Sequence, residues 1–238
     1  GVGAFADAAA TMCELGQMEA IRERVRAGVP FLGICLGEHL MFEHGVEGAP
    51  EGNPACGLGL LPGTVVAMPR YDEQGKAFKV PHVGWNTIEM PACNGGAAIP
   101  PCGGVGGNAV FSSGGVGGGA ARSSAAKRGL FEHGAFLDST PQPGGDLAFP
   151  DSAPQPGGEL AFACPLFDGI APGEYFYFTH SYIAPTGSHT IAETTHSVRF
   201  TSAVQFGERA FGVQFHPEKS SDAGARVLAN FVAIATRG

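Results

Sequence analysis

Two apolar segments that each end in chemically active residues constrain this chain more than any other feature. The first, residues 30–37, reads Pro-Phe-Leu-Gly-Ile-Cys-Leu-Gly and places Cys35 between two glycines. The second, residues 212–218, reads Gly-Val-Gln-Phe-His-Pro-Glu. A short apolar strand that turns sharply into a helix forms a nucleophile elbow, which exposes the side chain at the turn. The sequence therefore predicts two buried strands whose carboxyl ends carry a thiol, an imidazole and a carboxylate.

These three groups are what a cysteine-dependent acyl-transfer enzyme requires. Cys35 is the candidate nucleophile, since the start of a helix favours a thiolate, and the backbone N–H of Leu36 is expected to face an oxyanion. His216 is the candidate base. Glu218 is expected to hold the imidazole tautomer, because residues i and i+2 of an extended segment point the same way. A lone buried cysteine is more often a packing residue, but the two motifs in this order favour catalysis.

The remaining histidines have simpler explanations. His39 and His44 are predicted on the surface of the helix that follows the elbow. His82 and His180 fall in β segments and are predicted to be hydrogen-bonded core residues. The others are predicted on the surface or in loops: His133, His189 and His196.

Composition argues against several functional classes. The 238 residues carry a net charge of −8 without a block of Lys and Arg, which argues against nucleic acid or an anionic membrane as the main partner. No apolar run approaches the roughly 20 residues that a membrane-spanning helix needs. The six cysteines show no Cys-x-x-Cys spacing, which argues against a zinc site. We expect a reduced, cytoplasmic protein.

Hydrophobic periodicity predicts an α/β fold, in which helices flank a sheet. Strands are predicted over residues 30–34, 64–68, 79–90, 175–178, 191–195, 198–205 and 209–215. Helices are predicted over residues 4–15, 17–27 and 36–43, with a closing helix capped by Ser221 or Asp222 and a loop over residues 45–63.

Residues 91–164 differ in character from the rest of the chain. Glycine supplies 12 of the 36 residues from 94 to 129, and residues 138–149 and 151–162 are near-copies of each other. Such a composition offers few large apolar side chains to offset the entropy of ordering. We therefore predict one domain over residues 1–238, interrupted by a low-complexity, disordered insertion at 91–164. A partner-binding loop is the alternative explanation of this segment.

At five stretches the sequence resembles the class I, triad-type glutamine amidotransferases, and within them the glutaminase subunits of imidazole glycerol phosphate synthases. The stretches are residues 1–5 (Gly-Val-Gly-Ala-Phe), 30–37, 80–86 (Val-Pro-His-Val-Gly-Trp-Asn), 178–182 (Phe-Thr-His-Ser-Tyr) and 212–220. The elbow and His-Pro-Glu are shared across class I, whereas the stretches at 80–86 and 178–182 point to this branch. The resemblance covers the chain except residues 91–164.

The resemblance implies an open, mostly parallel α/β sheet and a Cys35–His216–Glu218 triad. It implies hydrolysis of L-glutamine through a thioester on Cys35, with ammonia passing to a (β/α)₈-barrel cyclase partner in histidine biosynthesis. It implies no metal and no organic cofactor. It further implies that Val2 and Leu36 donate backbone N–H groups to the oxyanion, and that the substrate-binding residues are Gly3, Gly37, His39, Ser181 and Tyr182.

Two departures from the family pattern accompany the resemblance. The family domain begins with a strand, a helix and a strand ahead of the oxyanion loop, so we expect an N-terminally truncated domain that lacks its first strands. A transit peptide in the missing part would direct the protein to a plastid. The family usually has Met-Gln after the elbow, where this chain has Glu38 and His39. Because that Gln helps to hold the substrate, the change bears on affinity and activity.

Two other functions remain open at the level of sequence. One is another class I amidotransferase, such as an anthranilate- or carbamoyl-phosphate-type subunit or a γ-glutamyl hydrolase. These proteins are not expected to carry the stretch at 80–86 together with that at 178–182. The other is a non-catalytic subunit that only docks the barrel, with Glu38 and His39 marking a decayed glutamine pocket.

Overall fold

The computed structural model describes residues 3–89, 91 and 164–237 of the chain. The helices are α1 (Phe5–Glu14), α2 (Gln17–Arg26), α3 (Leu36–His39) and α4 (Ser221–Thr236), with 3₁₀ turns at Pro165–Phe167 and Pro217–Lys219. The strands are β1 (Phe31–Ile34), β2 (Phe42–Gly45), β3 (Ala55–Cys56), β4 (Leu61–Ala67), β5 (His82–Thr87), β6 (Tyr175–His180), β7 (Tyr182–Ile183), β8 (Thr190–Thr195), β9 (Arg199–Phe206) and β10 (Ala210–Val213).

The strands form three groups. The first sheet has the order β1-β10-β9-β8, the second has the order β3-β2-β4-β7, and β5 pairs with β6. The predicted α/β class is confirmed, but the expectation of a mostly parallel sheet is wrong. Among the described strands only β1–β10 and β2–β4 pair in parallel. Strands β8, β9 and β10 follow one another through residues 196–198 and 207–209, and such short connections can only reverse the chain.

Two apolar clusters stabilise the described part of the chain. The larger joins β6, β9, β10 and α4 through a set of fully buried side chains that includes Phe176, Phe178, Phe211 and Val227. The smaller packs α1 and α2 against β2 and β4, with Phe5 at its centre. The fold therefore anchors both β1 and β10, the strands that precede the candidate catalytic residues.

The predicted helix over residues 36–43 is too long. Helix α3 ends at His39, and β2 begins at Phe42. The carbonyl groups of Leu40 and Met41 accept hydrogen bonds from the N–H groups of Leu58 and Leu60, at 2.7 and 2.9 Å. These carbonyls are therefore paired with the chain at 58–60, inside the predicted loop 45–63, which contains β3 and the start of β4.

The predicted exposure of the histidines is only partly correct. His82 and His180 are buried and hydrogen-bonded, as expected. His39 is buried, so its prediction as a surface residue is wrong. His189 lies in a loop, as one of its two predicted locations, but it is buried. Burial of His39 is compensated by a 2.6 Å hydrogen bond between its Nε2 and Oε1 of Gln214.

Some predictions fall on residues outside the described part of the chain. These are the predicted oxyanion donor Val2 and the predicted insertion at 91–164, apart from Pro91 and Cys164. The insertion includes Cys93, Cys102 and His133. Cys164 itself is buried beside Leu166 and Phe167. Over residues 3–89 and 164–237, no helix has the length and apolar character needed to cross a membrane.

Candidate active site

Cys35 lies on a strained turn between β1 and α3. Its φ of 51° and ψ of −107° are uncommon for a residue with a side chain. Its N–H donates to the carbonyl of Val213 in β10 at 2.8 Å, and its own carbonyl accepts from the N–H of His39 at 3.1 Å. The turn is therefore held from the sheet side and from the helix side, and it has the strand–turn–helix geometry of a nucleophile elbow.

The two glycines of the elbow have different environments. A Cβ at Gly33 would lie 2.5 Å from the carbonyl oxygen of Gly37, whereas a Cβ at Gly37 would meet nothing within 4 Å. The close approach of β1 to α3 thus depends on Gly33. Of the two glycines that flank Cys35, only Gly33 is required for space.

Gly33→Ala is expected to lower the free energy of unfolding by about 1–3 kcal/mol, because the new methyl group would collide with backbone. Gly37→Ala is the matched variant and is expected to be neutral or stabilising by up to about 1 kcal/mol, since alanine is the better helix former. Urea unfolding of both variants measures the difference. Equal free energies of unfolding would show that β1 and α3 can move apart without a loss of stability.

Parallel pairing of β1 with β10 brings the two sequence motifs together. Ile34 is in register with Val213, so the residues that follow both strands lie at the same edge of the sheet. The N–H of His216 donates to the carbonyl of Tyr177 in β6 at 2.8 Å, which fixes the backbone of the candidate base.

Glu218 reaches the imidazole through a 3₁₀ turn rather than through the extended segment that the sequence suggested. Nδ1 of His216 lies 2.6 Å from Oε1 of Glu218. Because a carboxylate only accepts, Nδ1 donates in this contact, and in the neutral imidazole Nε2 carries no proton. Nε2 is buried and has no hydrogen-bond partner among the described residues. Partial burial is the largest single effect and acts to raise the pKa of Glu218, but the hydrogen bond from His216, a backbone hydrogen bond and the charges of His216 and Lys219 together outweigh it, so the pKa is lowered.

A cavity of about 260 Å³ opens onto both motifs. That volume suits a small molecule. Predicted site residues in its wall are Gly3, Cys35, Leu36, His39, Ser181, Tyr182 and His216. Glu218 contacts the cavity only through His216, Gly37 is not in the wall, and Val2 lies outside the described residues.

The surroundings of the Cys35 sulfur favour the protonated thiol. The sulfur lies 3.9 Å from the carbonyl of Thr179, to which the thiol can donate, and 3.6 Å from Nε2 of Gln214, which donates to it. Burial, with a smaller contribution from the carboxyl of Glu38, raises the pKa of the thiol to about 11. The N–H of Leu36 acts in the opposite direction. At neutral pH the thiol is therefore neutral in this state.

A chain of neutral histidines supports the far wall of the cavity. Nδ1–H of His180 donates to the carbonyl of Tyr182 at 2.8 Å, which leaves Nε2 of His180 to accept from Nδ1–H of His82 at 3.0 Å. Nε2 of His82 in turn accepts from Nδ2 of Asn86 at 3.3 Å. Burial lowers the pKa of His180 to about 3 and that of His82 to about 4. These hydrogen bonds connect β5 and β6 to the segment that contains Ser181 and Tyr182.

Behind the nucleophile lies a buried polar layer. Glu38 has no exposed surface, and neither of its carboxylate oxygens has a hydrogen-bond partner among the described residues. Burial raises the pKa of Glu38 well above its ordinary value. Burial also lowers the pKa of His39 to about 4, although its hydrogen bond to Gln214 opposes this. His39 is therefore neutral near pH 7, and burial favours the protonated form of Glu38.

Sequence reasoning missed several residues of the site. Glu47, Pro81 and Thr179 line the cavity, and Gln214 contacts the sulfur from behind. Gln214 had a usable signal, because it stands two residues before His216 in the same apolar segment. Glu47 follows no motif, and only the fold brings it to the cavity.

Comparison with known proteins relates the chain to glutamine amidotransferases. The family model of class-I glutamine amidotransferases matches residues 151–235. The protein of Moorella thermoacetica named imidazole glycerol phosphate synthase subunit HisH is 34% identical over 233 residues, which are 97% of this chain and 72% of that relative. The HisH of Thiobacillus denitrificans is 33% identical, over 98% of this chain and 70% of its own. A crystal structure of a glutamine amidotransferase aligns with a TM-score of 0.46 and 14% identity, over 95% of this chain and 72% of that chain.

The class that fold and site define is therefore that of the class I glutamine amidotransferases. Within that class, the chain belongs to the HisH family of imidazole glycerol phosphate synthase subunits. The family resemblance drawn from the sequence motifs is confirmed.

Proposed function

We propose that this protein hydrolyses L-glutamine to glutamate and ammonia and passes the ammonia to a (β/α)₈-barrel cyclase partner. The observation that carries the proposal is that Cys35 and His216, far apart in sequence, line one cavity. Glu218 holds Nδ1 of His216 and leaves Nε2 free to accept a proton.

In the proposed reaction the thiol proton moves to Nε2 of His216 as the sulfur of Cys35 attacks the amide carbon. The N–H of Leu36 stabilises the oxyanion, together with that of Val2. The C–N bond then breaks, and the imidazolium returns its proton to the leaving nitrogen, which departs as ammonia. Water, deprotonated by His216, hydrolyses the thioester to glutamate and regenerates the thiol. Gly3, Gly37, His39, Ser181 and Tyr182 are proposed to surround the substrate.

The environment of the thiol supports a low rate in the isolated protein. A neutral thiol with a pKa of about 11 must lose its proton during attack, and the thiol donates its hydrogen bond to the carbonyl of Thr179 rather than to His216. We propose that binding of the partner brings thiol and imidazole into contact. Equal rates of glutamine hydrolysis with and without the cyclase would contradict this switch.

An exposed aromatic face supports the docking of the partner. Val83, Trp85 and Tyr175 project from the β5–β6 pair with more than half of each side chain exposed. Trp85 packs edge-to-face on Tyr177, whose carbonyl accepts from the N–H of His216. Exposed apolar surface of this kind is typical of a protein interface. We propose that the cyclase binds here, at the edge of the catalytic cavity, and receives ammonia from it.

The proposal is tested with glutamine and with a glutamine analogue that carries a chloromethyl ketone in place of the amide. We expect glutamate release in the presence of the cyclase and covalent labelling of Cys35, which excess glutamine prevents. Cys35→Ala should lose the label, whereas Cys13→Ala, which alters an exposed thiol on α1, should keep it. Labelling without preference for Cys35, or no glutamate release with the cyclase, would refute the function.

Trp85→Ala is expected to weaken binding of the cyclase by about 30-fold or more, since a buried tryptophan anchor commonly contributes at least 2 kcal/mol. Leu15→Ala is the matched control, because Leu15 is 65% exposed at the end of α1 and outside the aromatic face. Isothermal titration calorimetry measures both affinities. If the two variants bind the cyclase equally well, the partner docks elsewhere.

A docking subunit without catalysis is the second candidate, and the unpartnered carboxyl of Glu38 behind the thiol favours it. The same experiment separates the two functions, because a docking subunit would bind the cyclase without labelling at Cys35 or releasing glutamate. For either function we propose a cytoplasmic location, since Cys13, Cys35 and Cys56 are free thiols, as in a reducing compartment.

A further inference from the structure

Gln214 makes two side-chain contacts that the proposed mechanism does not use. Its Nε2 lies 3.6 Å from the sulfur of Cys35, and its Oε1 lies 2.6 Å from Nε2 of His39. Gln214 is fully buried, and its backbone N–H donates to the carbonyl of Ser202 in β9 at 3.0 Å. The amide group is thus fixed behind the nucleophile, on the side away from the catalytic cavity.

The orientation of this amide decides what the sulfur meets. With Nε2 toward Cys35, the amide donates an N–H, and such a donor stabilises a thiolate. With the amide turned over, an oxygen would face the sulfur and repel it. The two orientations have nearly the same shape, so packing alone distinguishes them poorly.

In the tautomer with a proton on Nε2, His39 favours the donating orientation of the Gln214 amide. Oε1 of Gln214 can only accept, so Nε2 of His39 carries the proton in this 2.6 Å contact. His39 is one turn after Cys35 on α3, and it is buried. The imidazole therefore acts as a fixed donor that holds the amide oxygen away from the sulfur.

We propose that Gln214 is a catalytic residue that stabilises the Cys35 thiolate through its amide N–H, and that His39 is a positioning residue that fixes this amide. The proposal deepens the proposed function, since it concerns the same nucleophile. It gives His39 a role on the thiol side of the site as well as in the cavity wall.

The test is the pH dependence of alkylation of Cys35 by iodoacetamide in the folded protein, followed by mass spectrometry of the Cys35 peptide. The exposed thiol of Cys13 in the same sample is the internal reference. Gln214→Met keeps the volume and removes the donor. Because a hydrogen bond to a charged group changes an equilibrium by about tenfold to a hundredfold, Cys35 should react slower than wild type by that factor at pH 8 to 9.

This readout separates lost donation from disturbed packing. Burial is the largest cause of the raised thiol pKa, so a loosened site would expose Cys35 and speed its alkylation. An unchanged or faster reaction of Gln214→Met would therefore overturn the proposal. Glu38 and Glu47 also raise the pKa of the thiol, and neither is altered.

The role of His39 is tested by a pair of variants, which decides alone if Gln214→Met does not fold. His39→Phe keeps a ring but no donor and should slow alkylation in the same direction. His39→Gln can still donate to the amide oxygen and should restore the wild-type profile. Equal rates for the two variants would refute the positioning role. Alkylation needs no glutamine, so these results stand even if glutamine is not hydrolysed, and that outcome would count against the proposed function alone.

Discussion

His216→Ala is expected to lower kcat for glutamine hydrolysis in the presence of the cyclase by about 10²–10⁴-fold, the range typical of a lost general acid–base group. The thiol of Cys35 is neutral in the resting state, so its attack depends on a base within the cavity. Nε2 of His216 is the unpartnered, unprotonated nitrogen that faces this task. Loss of the ring also removes the acid that protonates the departing ammonia.

His44→Ala is the control for this prediction, because His44 lies on β2 and outside the catalytic cavity. It should retain the wild-type rate, measured as glutamate release with saturating cyclase. A second measurement, isothermal titration calorimetry with glutamine, reports whether His216→Ala still binds the substrate. If His216→Ala kept more than a tenth of the wild-type kcat, another group would have to accept the thiol proton.

The elbow and the His-Pro-Glu segment could be predicted from sequence because each depends on short-range geometry. Gly33 permits the close turn before Cys35, and Pro217 begins the turn that brings Glu218 back to His216. Their meeting at one cavity also follows from general rules, since the ends of paired parallel strands share an edge of the sheet. These features carry the proposed chemistry.

The rest of the site depends on contacts between distant parts of the chain. Helix α3 stops at His39 because the carbonyl groups of Leu40 and Met41 pair with residues 58–60, which no local pattern reveals. Burial of His39 depends in the same way on Gln214, which arrives from β10. The mostly parallel sheet implied by the family resemblance was also wrong, because the short connections between β8, β9 and β10 force these strands to run antiparallel.

Glu38→Met is expected to stabilise the protein by about 1–3 kcal/mol at neutral pH, the usual cost of a buried polar group without a partner. Glu38 is fully buried and its carboxylate oxygens are unpartnered among the described residues, whereas methionine fills a similar volume without a polar group. Removal of the carboxyl also takes away one of the causes that raise the pKa of Cys35. Alkylation of Cys35 should therefore become faster in this variant.

The stabilisation should grow with pH, and this dependence identifies its cause. Burial raises the pKa of Glu38 in the folded protein above its ordinary value of 4.5, so the folded state holds a proton that the unfolded chain releases. The contribution of Glu38 to the free energy of unfolding therefore falls as the pH rises above about 4.5, by up to about 1.4 kcal/mol per pH unit, until the pKa of Glu38 in the folded protein is reached. Urea unfolding at pH 5 and pH 7.5 should show a wider gap between Glu38→Met and wild type at the higher pH. Glu38→Gln, which has no charge but keeps an unpartnered amide, should lose the pH dependence while gaining less stability, and a gap that stayed constant with pH would mean that Glu38 is not buried as a neutral acid.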